Sequence, residues 1–245
     1  MNRKIKSILG SILVIAMVTA MLTVGTKSFF SDLEVSTGNT FTAGTMDLKI
    51  DCNSKWYDAA GNEKGSIYFD EKDLIAGEDK FFNWDDIKPG DHGEATISIH
   101  VYDNDAWGWL HLIDVKNDEN GLMEPEIAAG DNTTDEGEMN KYLQFMIWRD
   151  WGEDRIPGTN DEGEGDNILQ DTEEIVFKGT AADLARYECN WLGPYELKAC
   201  VTYYFGIAWQ LPFNTGNIVQ SDSFSFGIEF YVEQIANNPN PQPPS

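Results

Sequence analysis

Positive charge is what the chain has least of. Its 245 residues carry 17 lysines and arginines against 42 aspartates and glutamates, a formal net charge of −25. Arg3, Lys4, Lys6 and Lys27 fall in an opening stretch, residues 1–28, that holds no acid, so the rest is more acidic still. A surface of that sign repels polyanions, which excludes nucleic acid and anionic membrane surfaces as partners. Histidine is also sparse: there are only His92, His100 and His111. No H-E-x-x-H, G-x-S-x-G, phosphate-binding loop or dinucleotide fingerprint occurs. A zinc hydrolase needs two or three ligands on one rigid face with a carboxylate base beside them. His100 and His111 sit on neighbouring strand candidates and are the pair that chain order could bring together. The plainer use of each is an exposed or hydrogen-bonded strand histidine. Carboxylates are too abundant to mark any catalytic pair, and the chain reads as not an enzyme.

Cysteine is scarce and odd in number: Cys52, Cys189 and Cys200. Cys189 and Cys200 flank NWLGPYELKA, which Gly193-Pro194 would turn into a hairpin-like loop, and they form the disulfide candidate. A bridge closing a loop of that size contributes about 3 kcal/mol by the loop-entropy relation. Pairings through Cys52, or none, are the alternatives. No internal repeat of about 20–50 residues is evident.

What the chain does have is a hydrophobic content of 41%, with 13 Phe, 9 Tyr and 8 Trp. A disordered acidic chain carries far fewer aromatics, and a chain of this length can bury a sizeable core. Aromatic and β-branched residues come in short runs broken by Gly, Asn and Asp, the pattern of an all-β sandwich or barrel.

The opening residues are laid out for export. Residues 1–6 are basic, residues 8–24 are almost wholly apolar and uncharged, and Gly25, Thr26 and Ser28 are small. This is the arrangement of a signal peptide, with cleavage after Ser28 leaving Phe29 first. The alternative is an uncleaved anchor, since roughly 17 apolar residues reach the lower edge of a spanning length. In both cases the domain lies outside the cytoplasm, and any membrane contact is through the leader.

Residues 29–48 (FFSDLEVSTGNTFTAGTMDL) come next. Phe29, Ser31, Leu33 and Val35 share one face of a strand, and Phe30, Asp32, Glu34 and Ser36 share the other. Thr37-Gly38-Asn39 breaks the run as a hinge, and a second strand pattern begins at Thr40. An arm with a free end can pair with its own sheet or with another molecule's.

The remaining chain, residues 40–236, reads as one β-sandwich with long acidic loops. Met46, Leu48 and Ile50 alternate with charged residues, and Ile97, Ile99 and Val101 alternate with Thr96, Ser98, His100 and Tyr102. Further strands are expected over 107–115, 141–151, 200–211 and 223–232, with a minor one at 66–70 inside an otherwise polar stretch, 52–80. Lys88-Pro89-Gly90-Asp91 has the residues of a type II turn. Residues 180–187 are the helix candidate in a fold with one or two short helices. Residues 237–245 (NNPNPQPPS) carry too many prolines for a sheet and read as a mobile tail.

Several of these residues carry a resemblance. A leader running into Phe30-Ser31-Asp32 and then Thr40-Phe41-Thr42-Ala43-Gly44-Thr45-Met46-Asp47-Leu48, with Lys88-Pro89-Gly90-Asp91 and the ending FSFGIEFYV-Glu233-Gln234, resembles the TasA/camelysin family. The resemblance covers roughly residues 1–51 and two later blocks. It implies a jelly-roll sandwich, leader removal by a SipW-type signal peptidase, and a secreted, cell-surface life. It also implies that the chain is a subunit of a biofilm matrix fibre, akin to archaeal bundling pilins. Such subunits form a homopolymer by donor-strand exchange of the arm Phe29, Phe30, Ser31, Asp32, Leu33, Glu34, Val35 and Ser36, with other matrix components as further partners. Two alternatives remain: a camelysin-like metallopeptidase, for which the histidine motif is missing, and a secreted carbohydrate-binding sandwich.

No cofactor is expected beyond a possible structural calcium. The acidic loops have the oxygen-rich composition that calcium uses, at Asp103 and Asp105, Asp131 and Asp135, and Asp161 and Asp166, without EF-hand spacing. They read first as solvated loops. Asn132-Thr133-Thr134 is the one glycosylation sequon. Trp107, Trp109, Trp148 and Trp151 would serve a sugar-binding platform only if exposed, and their strand patterns favour the core.

Overall fold

Period-two alternation builds the first sheet. Leu48, Ile50 and Cys52 on one strand and Ala95, Ile97, Ile99 and Val101 on the next are all buried, and their polar neighbours face outward. The computed structural model describes residues 31–34 and 46–244. The leader 1–28, the arm residues Phe29, Phe30, Val35 and Ser36, the hinge Thr37-Gly38-Asn39, residues 40–45 and Ser245 lie outside the described residues.

The strands are β1 (Ser31–Glu34), β2 (Asp47–Tyr57), β3 (Glu63–Lys72), β4 (His92–Tyr102), β5 (Ala106–Asp118), β6 (Gln144–Arg149), β7 (Glu174–Thr180), β8 (Leu192–Leu197), β9 (Thr202–Gln210) and β10 (Ser223–Gln234). Short helices α1 (Glu124–Ala129), α2 (Met139–Tyr142) and α3 (Ala181–Leu184) interrupt them. One antiparallel sheet has the order β1-β10-β5-β8 and the other β3-β2-β4-β9-β6-β7. The pairs β1·β10, β4·β9, β5·β8 and β6·β7 nest in chain order, as when one long hairpin is rolled over itself. That is jelly-roll connectivity, with the β2–β3 hairpin added beside β4. The expected all-β sandwich is therefore present.

The two sheets meet through Leu48, Ile97, Ile207 and Phe145 from one and Leu112, Leu197, Phe230 and Val232 from the other. Phe81, from the β3–β4 connection, lies edge-on to Phe230 at 6.0 Å. Gly90 (φ +98°) supplies the left-handed residue of the 88–91 turn, and Asp91 N–H closes it on the Lys88 carbonyl.

Several expectations need correction. The 52–80 stretch holds most of a long hairpin rather than one short strand; Asp58 accepts from the Ala60 and Asn62 amides at its turn. The 141–151 run divides into α2 and a shorter β6, and α1 occupies part of the loop after β5. Strand β7 was not expected, nor was β8, whose Gly193 and Pro194 argue against a central strand. Proline is tolerated there because β8 is a sheet edge.

Strand β8 also overturns the disulfide candidate. Cys189 and Cys200 are free and exposed, one before β8 and one after it. Six extended residues span about 20 Å, whereas bridged Cα atoms must approach within about 7 Å. Cys52 lies in the core, where burial pushes its thiol up to about 12. The tail is anchored at its start: Trp107 Nε1 donates to the carbonyl of buried Asn238 at 3.1 Å, and Ile235 N–H donates to the Asp105 carbonyl.

Candidate functional site

The N-terminal arm reaches the sheet as β1. Ser31 pairs with Glu233, Asp32 with Val232, Leu33 with Tyr231 and Glu34 with Phe230. Strand β1 has 4 residues, against 12 in β10 and 13 in β5, and among the described residues it pairs on one side only. Beneath it the β10 edge carries two core residues, Phe230 and Val232, 3% and 2% exposed. Between them Tyr231 turns to the opposite face, with its ring 5.5 Å from Trp109 and 6.1 Å from Trp191. The register thus sets Asp32 and Glu34, not Leu33, opposite the core positions. A one-residue slip would exchange the two sets.

The histidines do not converge. His100 on β4 is bonded to Asp51 at 2.7 Å and to Thr202 at 3.2 Å. His111 lies in the other sheet, bonded to Glu229 and the Glu188 carbonyl and stacked on Trp191 at 4.4 Å. Strands β4 and β5 follow one another in sequence but belong to different sheets, so the anticipated pair is separated. His92 is exposed beside Tyr57. Trp109 and Trp148 are 3% exposed, Trp107 is half-buried, and Trp151 is half-buried near Arg149. They do not form an open platform.

The calcium candidates are dispersed. Asp105 accepts from Ala199 N–H at 2.9 Å and pairs with Lys198, and these partners hold its carboxyl below the usual range. Asp103 is exposed at a left-handed position. Asp161 and Asp166 cap amides of their own loop, those of Asp154 and Ile168. Asp135 is exposed, as is the sequon residue Asn132.

Asp131 differs from the rest: it is 3% exposed and lies among other buried acids. Glu119 follows β5, Glu126 is on α1, Glu138 precedes α2 and Asp222 precedes β10; these are 2%, 0%, 6% and 8% exposed. Ligand atoms of Glu119, Glu126 and Asp222 lie within 4.8 Å of one another, and so do those of Glu119, Asp131 and Glu138. Burial, then the charges of Asp222, Glu126 and Asp131, push the Glu119 carboxyl up to about 7. Burial also raises Glu138 and Asp222, while the Thr133 amide holds Asp131 low. Sequence reading found Asp131 and missed the other four. With 42 acids in the chain, nothing local marks which ones a loop and a distant strand will bury together.

No known protein family and no curated protein matches the chain in sequence.

Proposed function

We propose that the protein is the secreted subunit of an extracellular filament, a pilus or biofilm matrix fibre. It polymerises head-to-tail when the N-terminal arm of one copy pairs with β10 of the next. The supporting observation is β1 itself: four residues at the chain's N-terminal side, on the edge of a jelly roll, with core residues under the strand they cover. An edge of that kind exposes unpaired backbone groups and apolar side chains once its cover leaves. A neighbour's arm restores both by β-strand addition. Backbone pairing of the same kind forms within one copy or between two, so the ladder lost in one is regained in the other, and a contact that does not close on itself yields a filament.

Residues 35–45 connect arm to domain and fully extended span at most about 40 Å, enough to cross to an adjacent copy. In the neighbour the arm takes a register one residue away from the intramolecular one. That slip sets Leu33 and Val35, in place of Asp32 and Glu34, opposite the core positions 230 and 232. Removal of the leader by a signal peptidase frees Phe29 and permits the exchange, and other matrix components join the fibre afterwards.

Negative-stain images of the secreted protein test this reading. The double substitution Leu33→Asp with Val35→Asp is expected to leave folded β-rich monomers and no filaments. Filaments of wild-type length in that variant would sink the arm assignment.

A further inference from the structure

Among the described residues, the five buried acids find little compensation. Lys141, at 3.2 Å from Glu138 Oε1, is the one cation bonded to the group among the described residues. Both oxygens of Glu119, Asp131 Oδ2, Glu138 Oε2 and Asp222 Oδ1 are buried without a hydrogen-bond partner among the described residues. A buried, unpartnered carboxylate oxygen is among the costliest groups a protein can hold.

In every acid of the group except Glu119, one oxygen is held in place. Asp222 Oδ2 accepts from the Glu138 and Met139 amides at 2.5 and 2.9 Å, N–H groups at the start of α2 that have no partner within the helix. Asp131 Oδ1 accepts from the Thr133 amide and hydroxyl, both at 2.8 Å. Glu126 Oε2 accepts from the Met123 amide at 2.6 Å and from the Ser221 hydroxyl. One oxygen of these carboxylates is therefore oriented by the fold while, in Asp131, Glu138 and Asp222, the second is left over. Metal ligands are held in this way by an outer ring of hydrogen bonds. Gly137 leaves room for the group: a Cβ there would fall 2.7 Å from the Asp222 carboxylate and 2.9 Å from the Asp118 carbonyl.

We propose that Glu119, Glu126, Asp131, Glu138 and Asp222 form a calcium site that ties the 119–138 loop to the start of β10. Glu119 belongs to both triads and is the shared ligand. The donor set is all oxygen and contains no histidine or cysteine, which selects a hard cation over zinc. Several carboxylates on loops and short helices suit the six to eight oxygens and adaptable geometry of calcium; magnesium demands a tighter octahedron and retains its waters.

Calorimetric titration of the full chain, stripped with EDTA, with calcium chloride and then magnesium chloride tests the site and counts the ions. Saturating calcium is expected to raise the melting temperature by several degrees, and magnesium far less. Glu119→Gln removes one charge from the group. It is expected to melt higher than wild type in EDTA yet to bind calcium roughly 100-fold more weakly or worse. Asp161→Asn, in the other acidic loop, is expected to titrate as wild type. The absence of calcium binding, an equal response to magnesium, or an undiminished calcium response in Glu119→Gln would each overturn the assignment.

Discussion

In the loop from Asp150 to Glu173, carboxylates face backbone amides. Asp150, with no exposed surface, accepts from Gly165 and Asn167; Glu173 accepts from Gly152 and Gln170; Glu164 accepts from Gly158 and Asn160. One carboxylate oxygen there, Asp161 Oδ1, is buried without a partner. The loop from Glu119 to Glu138, with Asp222 against it, buries five such oxygens. The difference lies in the backbone. The 150–173 loop is mostly turns, and Gly152, Gly158, Asn160, Gly165 and Asn167, whose N–H groups bind its carboxylates, all have left-handed φ. In the 119–138 loop, α1 takes up some of its own amides, as the Gly130 and Asp131 N–H groups bonded to α1 carbonyls show. Acidic loops of similar composition therefore satisfy their buried carboxylates by different routes, one through its amides and one, on our proposal, through a cation.

That contrast can be broken most directly with a chelator. Hydrogen exchange of residues 119–138 and 221–222 is expected to quicken about 100-fold on moving from a hundredfold excess of calcium over its dissociation constant to EDTA. Exchange of residues 150–173 is expected to stay unchanged, and equal quickening in both loops would show that the cation acts on the whole domain.

A smaller effect comes from Gly137→Ala. Its Cβ intrudes on the Asp222 carboxylate, and overpacking of this sort costs about 1–3 kcal/mol. Chemical denaturation should show that loss in calcium and a lesser one in EDTA, where the carboxylate is free to move.

The smallest effect concerns Asp150. Burial and the charges of Glu173 and Asp166 push its carboxyl up to about 7, against the amide hydrogen bonds that pull it down. The folded value lies above the unfolded one of about 4. Its contribution is therefore complete below about pH 4 and is lost as pH rises through about 7. At saturating calcium, wild type should gain stability relative to Asp150→Asn as pH falls from 8 to 5. Parallel pH profiles for the two would exclude this titration.

Much of the fold was legible because alternation is a local signal. The β4 pattern Ile97, Ile99, Val101 and the turn at Gly90 need only their neighbours in sequence. Strand β8 was hidden because its glycine and proline are acceptable only at an edge, and edges are a property of the assembled sheet. The acidic site was hidden for a related reason: Glu119 and Asp222 are distant in sequence and meet only because Ser223 pairs with Asp118.

The sequence by itself determined the β class, the acidic surface, the turn chemistry and the strand-like character of the arm, all of which follow from residue type and short-range spacing. Only the tertiary structure decided that β1 pairs with β10 with Leu33 opposite Tyr231, that His100 and His111 part to different sheets, and that Glu119 joins two buried triads of carboxylates. Each of those outcomes depends on which distant strands pair, and hence on long-range burial that no short stretch of chain encodes.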